Sequence, residues 1–239
     1  MGKLFVVGIG PGGRENMTIK ALDTIKNCEV IVGYTPYIEY IKDLIPGKEI
    51  YSTGMTKEIE RCKIAVEKTI EGKNTAIIST GDAGLYGMAG PILEMKEDIE
   101  VEIIPGVTAA FSAAADLGSP IMHDFVSISL SDLLTPWDII EKRIKKASLG
   151  DFVITIYNPK SKTRTRQFKK AVEIMLKYKE PQTPVGIVKN SGREGTKKLI
   201  CTLDSIDYDF VDMMCVLIIG NRNTYINGEY MITPRGYSI

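Results

Sequence analysis

The feature that most constrains the fold is a regular alternation of short β-rich runs with helical segments. The runs KLFVVGI and EVIVGY are separated by a segment in which Ala21, Leu22 and Ile25 recur at helical spacing. The next helical segment is predicted to bury Ile59, Cys62, Val66 and Ile70. Alternation of this kind predicts an α/β protein with largely parallel sheets.

A break around residues 118–122 divides the alternation into two cycles. The second cycle begins with the run DFVSISL and closes on an Asn227-Gly228 pair, which is typical of a β-hairpin turn. A chain of 239 residues is long enough for two small α/β domains, because domains of about 100–150 residues are the commonest size. We predict an N-terminal domain over residues 1–119 and a C-terminal domain over residues 120–239.

Charge and cysteine content argue against several classes of function. Thirty basic residues balance thirty acidic ones, so nothing draws the whole chain to nucleic acid or an anionic membrane. One histidine and four scattered cysteines make a metal site hard to assemble. No apolar run approaches the ~18 residues of a membrane span, and no signal peptide precedes the first run. A soluble, cytoplasmic protein with reduced thiols is expected.

Candidate chemistry lies in four loops that follow predicted strands, the positions where α/β proteins carry their sites. The first is GIGPGG, in which Gly8, Gly10 and Gly13 satisfy the GxGxxG pattern of dinucleotide-binding folds. Pro11 inside the turn and the absence of an acidic residue at the end of the second run count against a dinucleotide. A plain glycine turn between strand and helix is the structural alternative.

Two further loops are rich in small residues. STGDAGLYGMAG places Asp82 among glycines that allow close approach of a ligand, so the carboxylate is a candidate for a ribose hydroxyl or for orienting a peptide. A locally capped Asp-Gly turn is the alternative. In PGVTAA, Thr108 and Ala109 begin a helix whose first amides can bind a ligand or can simply be capped.

The fourth loop, YNPKSKTRTR, crowds cations at the start of a helix. Positive charge opposes the helix dipole at that end, which favours an anionic ligand against the loop. A solvated basic face is equally compatible. The cations are Lys160, Lys162, Arg164 and Arg166.

In this order and spacing, the loops resemble those of the tetrapyrrole methylase family, the class III S-adenosylmethionine-dependent methyltransferases. The family's GxGPG, GD-containing and PGxTA motifs match at residues 8–12, 81–87 and 105–109, and the resemblance runs from Lys3 to about Gly220. SLSDLLTPW (129–137) and YNPKSKTR (157–164) are most similar to the branch that methylates carbon 17 of a precorrin-3-type ring. Ala83 departs from the proline that many members carry.

The resemblance implies two α/β domains with an inter-domain cleft for S-adenosylmethionine, usually in a homodimer, and no metal. It also implies a set of cofactor-binding residues, namely Pro11, Thr80, Gly81, Asp82, Leu85, Thr108, Ala109, Asn158, Ser191 and Gly192.

A precorrin-type macrocycle carries carboxylates, so cations are predicted to bind it: Arg14, Lys160, Lys162, Arg164 and Arg193. The carbon-17 branch is linked to contraction of the ring, a step that moves protons. His123 and Asp132 are the candidate titrating groups, and His123 has a hydrogen-bonded structural role as its alternative.

Three other functions are compatible with the same loops. The first keeps the fold and changes only the substrate, to a modified protein histidine (the diphthine type) or to ribosomal RNA. Zero net charge argues against RNA. A non-catalytic sensor of a tetrapyrrole or nucleoside is the second. A nicotinamide-dependent oxidoreductase is the third.

Overall fold

The protein is described by a computed structural model that covers residues 2–96 and 98–238. The chain divides into two compact units between Ala109 and Ala110. Among the residues described, no helix is long and apolar enough to cross a membrane.

The first unit is a parallel five-stranded sheet covered by helices. Its elements are β1 (Lys3–Gly8), α1 (Ile19–Asn27), β2 (Val30–Tyr34), α2 (Thr35–Glu39), β3 (Glu49–Thr53), α3 (Glu58–Ile70), β4 (Thr75–Ser79), α4 (Ala89–Met95) and β5 (Glu100–Ile104). The strand order is β3-β2-β4-β1-β5, and every pair is parallel.

Two apolar cores cover the faces of this sheet. Leu4 and Val6 of β1 pack into one core, while Val7 packs into the other, as the two-residue period of a strand requires. All five residues of β4 are buried, the pattern of a parallel strand covered on both faces. The prediction of a parallel α/β arrangement is confirmed for this unit.

The buried face of α3 differs from the prediction. Cys62 and Val66 are buried as expected, but Ile59 and Ile70 are 53% and 48% exposed. The helix instead buries Arg61, Cys62, Ala65, Val66 and Thr69. The buried face of α3 is thus rotated relative to the predicted one. The apolar pattern did not show this because the buried face includes a charged residue, Arg61.

The second unit contains a mixed sheet and a small three-stranded sheet. Its elements are α5 (Ala109–Leu117), β6 (Gly118–Ser119), β7 (Phe125–Ser129), α6 (Trp137–Leu149), β8 (Val153–Tyr157), α7 (Arg166–Met175), β9 (Pro184–Lys189), β10 (Lys197–Thr202), β11 (Cys215–Ile219), β12 (Tyr225–Asn227) and β13 (Tyr230–Ile232). The orders are β10-β9-β11-β8-β7 and β12-β13-β6.

Only β7 and β8 pair in parallel in the larger sheet, whereas β11 is antiparallel to both β8 and β9, and β10 to β9. Helices separate the early strands, but none separates β9, β10 and β11, and neighbouring strands joined without a crossover pair antiparallel. The prediction of a largely parallel sheet is therefore wrong for this unit. The predicted hairpin is confirmed, since Asn227 pairs with Tyr230 across the turn.

The unit boundary lies ten residues before the predicted one because α5 and β6 pack with the second unit. Leu117 is fully buried, and a Cβ added at Gly186 of β9 would lie 2.3 Å from its Cδ1. β6 pairs with β13. The last helix of the predicted N-terminal domain is thus part of the second hydrophobic unit.

Candidate functional site

Three glycine-rich loops of the first unit meet at one edge of its sheet. They follow β1, β4 and β5, which are adjacent and parallel, so their carboxyl ends share that edge. Gly10 and Gly81 exchange two main-chain hydrogen bonds of 3.1 and 2.6 Å. A Cβ at Gly106 would lie 2.2 Å from the carbonyl oxygen of Gly81, and one at Gly8 2.8 Å from the same atom. We call Gly8, Gly10, Gly81 and Gly106 the glycine junction.

Asp82 braces this junction. Its Oδ1 accepts hydrogen bonds from the amides of Gly84 and Leu85 at 2.8 and 3.2 Å, and its Oδ2 accepts one from Gly106 at 3.0 Å. The carboxylate therefore orients the main chain of two loops, one of the roles predicted for it. A further contact to a ribose hydroxyl remains a prediction.

The structure brings most of the predicted cofactor residues of this unit together. Gly81 has a positive φ of 67°, and a Cβ built on it would lie 3.7 Å from both Thr108 Cα and Ala109 N. Pro11 is buried in the first loop, and Thr80 and Leu85 are half-buried in the second. Arg14 is exposed in a short 3-10 turn.

The dinucleotide alternative is contradicted by the local structure. In that fold the helix opens directly from the glycine turn, whereas here α1 begins at Ile19, where Thr18 Oγ1 accepts the Ala21 amide at 3.1 Å. The strand order also differs from the 3-2-1-4-5-6 order of dinucleotide-binding sheets.

In the second unit, the predicted cofactor residues also follow the ends of strands. β9 is antiparallel to β11, which is antiparallel to β8, so β7, β8 and β9 run the same way and end at one edge. Asn158 follows β8 with a φ of 50°, and its Nδ2 donates to Ser129 Oγ at 2.9 Å. Ser191 follows β9, and Gly192 beside it has a φ of 72°.

Helix α5 holds these loops through contacts that the sequence did not reveal. Ser191 Oγ donates to Asp116 Oδ2 at 2.6 Å and lies 2.7 Å from Ser112 Oγ. The hydroxyl of Tyr157 accepts the Ala110 amide at 2.7 Å, which caps the helix. Ser112 and Asp116 are four residues apart on one helix face, and that spacing is the signal that was available.

Two of the cations predicted to bind substrate instead hold the second unit together. Arg164 is 8% exposed, and its Nη1 donates to the Leu130 and Pro159 carbonyls at 2.9 and 3.4 Å. Burial lowers the pKa of Arg164, opposed by the charge of Asp132. Lys160 Nζ donates to the carbonyl of Tyr208. Contacts of Arg164 and Lys160 with substrate are therefore not supported.

For the other predicted cations, binding of substrate stays a prediction. Lys162 is exposed and Arg193 is half-buried. Lys162, Arg193 and Arg14 of the first unit thus remain candidates.

The two candidates for proton transfer lie beyond opposite ends of β7. Asp132 is held by Gln167 Nε2 at 2.7 Å and lies 3.7 Å from Arg164 Nε. His123 precedes the amino end of β7, and Asp132 follows its carboxyl end, so a five-residue strand of about 17 Å separates them. His123 is half-exposed, 3.8 Å from Asp124. A role in proton transfer stays a prediction for each of them.

The four thiols are at least partly buried. Burial raises the pKa of Cys28 to about 12 and the pKa values of Cys62, Cys201 and Cys215 to about 11. They are therefore protonated and poorly nucleophilic at neutral pH. Within the described ranges, no three His, Cys, Asp or Glu side chains are grouped to hold a metal ion.

The sequence analysis missed a cavity in the first unit. It has a volume of about 130 Å³, and its lining includes Tyr34, Tyr37, Arg61, Thr80 and Tyr86. Two tyrosines directly after β2, in the segment GYTPY, were the signal for it. A wider groove of about 560 Å³ lies between α1 and the sheet, near Phe5 and Asn74, and Asn74 lies at the amino end of β4, away from the glycine junction.

Comparison with known proteins decides the family. The family model described as Tetrapyrrole (Corrin/Porphyrin) Methylases matches residues 3–207. The chain belongs to this family. The match includes the glycine junction, Asn158 and Ser191.

Two curated relatives cover the tetrapyrrole methylase described here almost end to end. A probable cobalt-factor III C(17)-methyltransferase of Salmonella typhimurium is 48% identical over 240 residues, 99% of this chain and 100% of that protein. A precorrin-3B C(17)-methyltransferase of Sinorhizobium sp is 32% identical over 249 residues, 99% of this chain and 98% of that protein.

A solved structure agrees with the fold. The crystal structure of the methyltransferase CobJ superposes with a TM-score of 0.94 at 33% identity, covering 98% of this chain and 100% of that one. The expected tetrapyrrole methylase fold is confirmed.

Proposed function

We propose that the protein is an S-adenosylmethionine-dependent C-methyltransferase of cobalamin biosynthesis that methylates carbon 17 of a precorrin-3-type macrocycle with ring contraction. The observation that carries the proposal is the near full-length similarity to two relatives, both named C(17)-methyltransferases. Identity is 48% to the one named for cobalt-factor III and 32% to the one named for precorrin-3B. This difference favours a macrocycle that carries cobalt.

The predicted cofactor residues suit S-adenosylmethionine. The glycine junction brings main-chain atoms close together where a Cβ would not fit, and Thr80, Thr108, Asn158 and Ser191 offer uncharged polar groups. When bound, the cofactor supplies a methyl group activated on a sulfonium sulfur. Main-chain and hydroxyl groups can bind its adenosine and amino-acid parts without a dedicated charged side chain.

The chain's own contribution is alignment and exclusion of water. Correct positioning of two reactants is worth about 7–11 kcal/mol, so a site without a catalytic triad is sufficient for methyl transfer. Asp82 holds two loops of the first unit, and Asp116 holds the loop after β9. Arg14, Lys162 and Arg193 are the cations that we assign to the macrocycle's carboxylates.

Assembly and location follow from the family resemblance alone. We expect a homodimer in the cytoplasm, and light scattering of the purified protein tests the dimer. A monomer across micromolar concentrations would contradict it.

Calorimetry separates this function from the oxidoreductase alternative. We predict saturable, one-to-one binding of S-adenosylhomocysteine to the full chain and no heat of binding with NAD. The late start of α1 after the glycine turn, at Ile19, and the absence of an acidic residue at the end of β2, which is Gly33-Tyr34, are the physical reason. Binding of NAD with no binding of S-adenosylhomocysteine would overturn the proposal.

A further inference from the structure

The cavity of the first unit adjoins the glycine junction and shares the loop after β4 with the predicted cofactor site. The glycine junction spans β4, β1 and β5, whereas the cavity lies on the other side of β4, toward β2 and the first turn of α3. Thr80, directly after β4, lines the cavity and belongs to the predicted cofactor set. At about 130 Å³, the space is far below the ~300–1,000 Å³ of a whole-ligand pocket. It fits one arm of a larger molecule.

Arg61 and Glu58 are the charged residues that line this cavity. Arg61 is 5% exposed. Nη1 donates to Thr53 Oγ1 at 2.7 Å and to the Gly54 carbonyl at 2.9 Å, and Nη2 donates to Glu58 Oε1 at 3.2 Å. Three of the five guanidinium N–H groups are thus used.

One edge of the guanidinium remains open to a ligand. In the part of the chain that the structure describes, Nε of Arg61 has no hydrogen-bond acceptor, yet every fully buried polar side-chain atom there has a partner. Nε therefore reaches open space, and Arg61 lines the cavity. Glu58, its carboxylate partner, is half-exposed at 51% and makes a single contact. A buried cation whose one counter-charge is half-exposed to water favours a second anion.

The walls of the cavity are aromatic. The rings of Tyr34 and Tyr37 meet edge to face at 5.0 Å, and Arg61 lies over the Tyr34 ring at 5.8 Å. Tyr86, on the loop after β4, also lines the cavity. Flat apolar walls around a forked cation suit a carboxylate on a short aliphatic arm.

We infer that Arg61 and its tyrosine walls bind one carboxylate arm of the macrocycle and thereby set which ring carbon faces the methyl donor. The inference rests on the proposed function. Both the macrocycle and the cofactor carry a carboxylate. The glycine junction extends from β4 toward β1 and β5, away from the cavity, which favours the macrocycle, and the Kd for S-adenosylhomocysteine distinguishes the two ligands. Arg61 is a positioning residue for regiochemistry.

Two substitutions that should change the macrocycle Kd in opposite directions test this role. In the full chain, Arg61→Lys keeps the charge and loses the fork, so the Kd for cobalt-factor III, measured by absorbance titration with S-adenosylhomocysteine present, should rise about tenfold. Glu58→Gln removes the competing carboxylate and should lower that Kd two- to fivefold, roughly. Lys63→Gln, an exposed cation on the same helix, should change neither. The Kd for S-adenosylhomocysteine should stay within about twofold in all three variants.

The outcomes separate this inference from the proposed function. Methylation at additional ring carbons by Arg61→Lys, seen by NMR of product made with a 13C-labelled methyl donor, supports the positioning role. An unchanged macrocycle Kd in Arg61→Lys, or weaker binding in Glu58→Gln, overturns it. So does a loss of S-adenosylhomocysteine affinity, which would assign the cavity to the cofactor. Titration needs no turnover, so absent methyl transfer by the wild-type chain would count against the proposed function alone.

Discussion

At the level of single residues, Arg164 and Lys160 donate hydrogen bonds to main-chain oxygens of the second unit. These bonds give both side chains a structural role. A buried guanidinium that satisfies two carbonyls cannot be removed without leaving those acceptors unpaired. Lys162, two residues away, is exposed. The same basic segment thus contains cations with different roles.

We predict that Arg164→Ala lowers the free energy of unfolding of the second unit by about 2–4 kcal/mol. Lys162→Ala is the matched control and should change it by less than about 0.5 kcal/mol, as exposed substitutions do. Urea denaturation followed by circular dichroism provides the measurement. Equal stability of the two variants would show that Arg164 is not a brace.

Residue roles were only partly predictable from the sequence. Asp82 stood out because it is the lone carboxylate among glycines, and the structure gives it three amide donors. Arg61 and Asp116 did not stand out, because each acts through neighbours from another segment. A one-dimensional pattern shows residue type and spacing but not which distant main chain a side chain reaches.

At the scale of elements, the glycine junction explains why three loops contain glycine at fixed positions. Gly106 has a conformation open to any residue, yet its Cβ would overlap the Gly81 carbonyl. A Cβ added at Gly90 in α4, by contrast, would meet nothing within 4 Å. A side chain at position 106 would therefore clash with the main chain, whereas one at position 90 would not.

Gly106→Ala should therefore destabilise the first unit by about 1–3 kcal/mol and weaken binding of S-adenosylhomocysteine. Gly90→Ala should stabilise it by about 0.5–1 kcal/mol, because alanine favours the helix. Thermal unfolding and calorimetry of both variants give the comparison. A Gly106→Ala variant with wild-type stability and affinity would contradict close packing of the loops.

Helices and strands were predicted well where their apolar period is strong. β1, β2 and β7 appear where the runs KLFVVGI, EVIVGY and DFVSISL predict them, and α1 buries Ala21 and Ile25 of its predicted apolar face. The direction of β9, β10 and β11 was not predictable from composition, because pairing depends on the connections between strands. β3, α2 and α4 were missed, since each is short and weakly periodic.

At the scale of the whole molecule, two α/β units were predicted, and two are found. The boundary differs because α5 is apolar on the face that meets β9, and no linker composition marks its start. The family was predictable because three glycine loops kept their order and spacing. The proposed substrate, by contrast, was assigned from similarity to relatives whose names specify carbon 17.

The proposed reaction transfers a methyl group from S-adenosylmethionine to carbon 17. The most direct test is incubation of the purified chain with cobalt-factor III and 13C-methyl-labelled S-adenosylmethionine, followed by mass spectrometry and NMR of the product. We predict one labelled methyl group on carbon 17 of a contracted ring and one equivalent of S-adenosylhomocysteine. An unlabelled macrocycle, or a single label on another carbon, would contradict it.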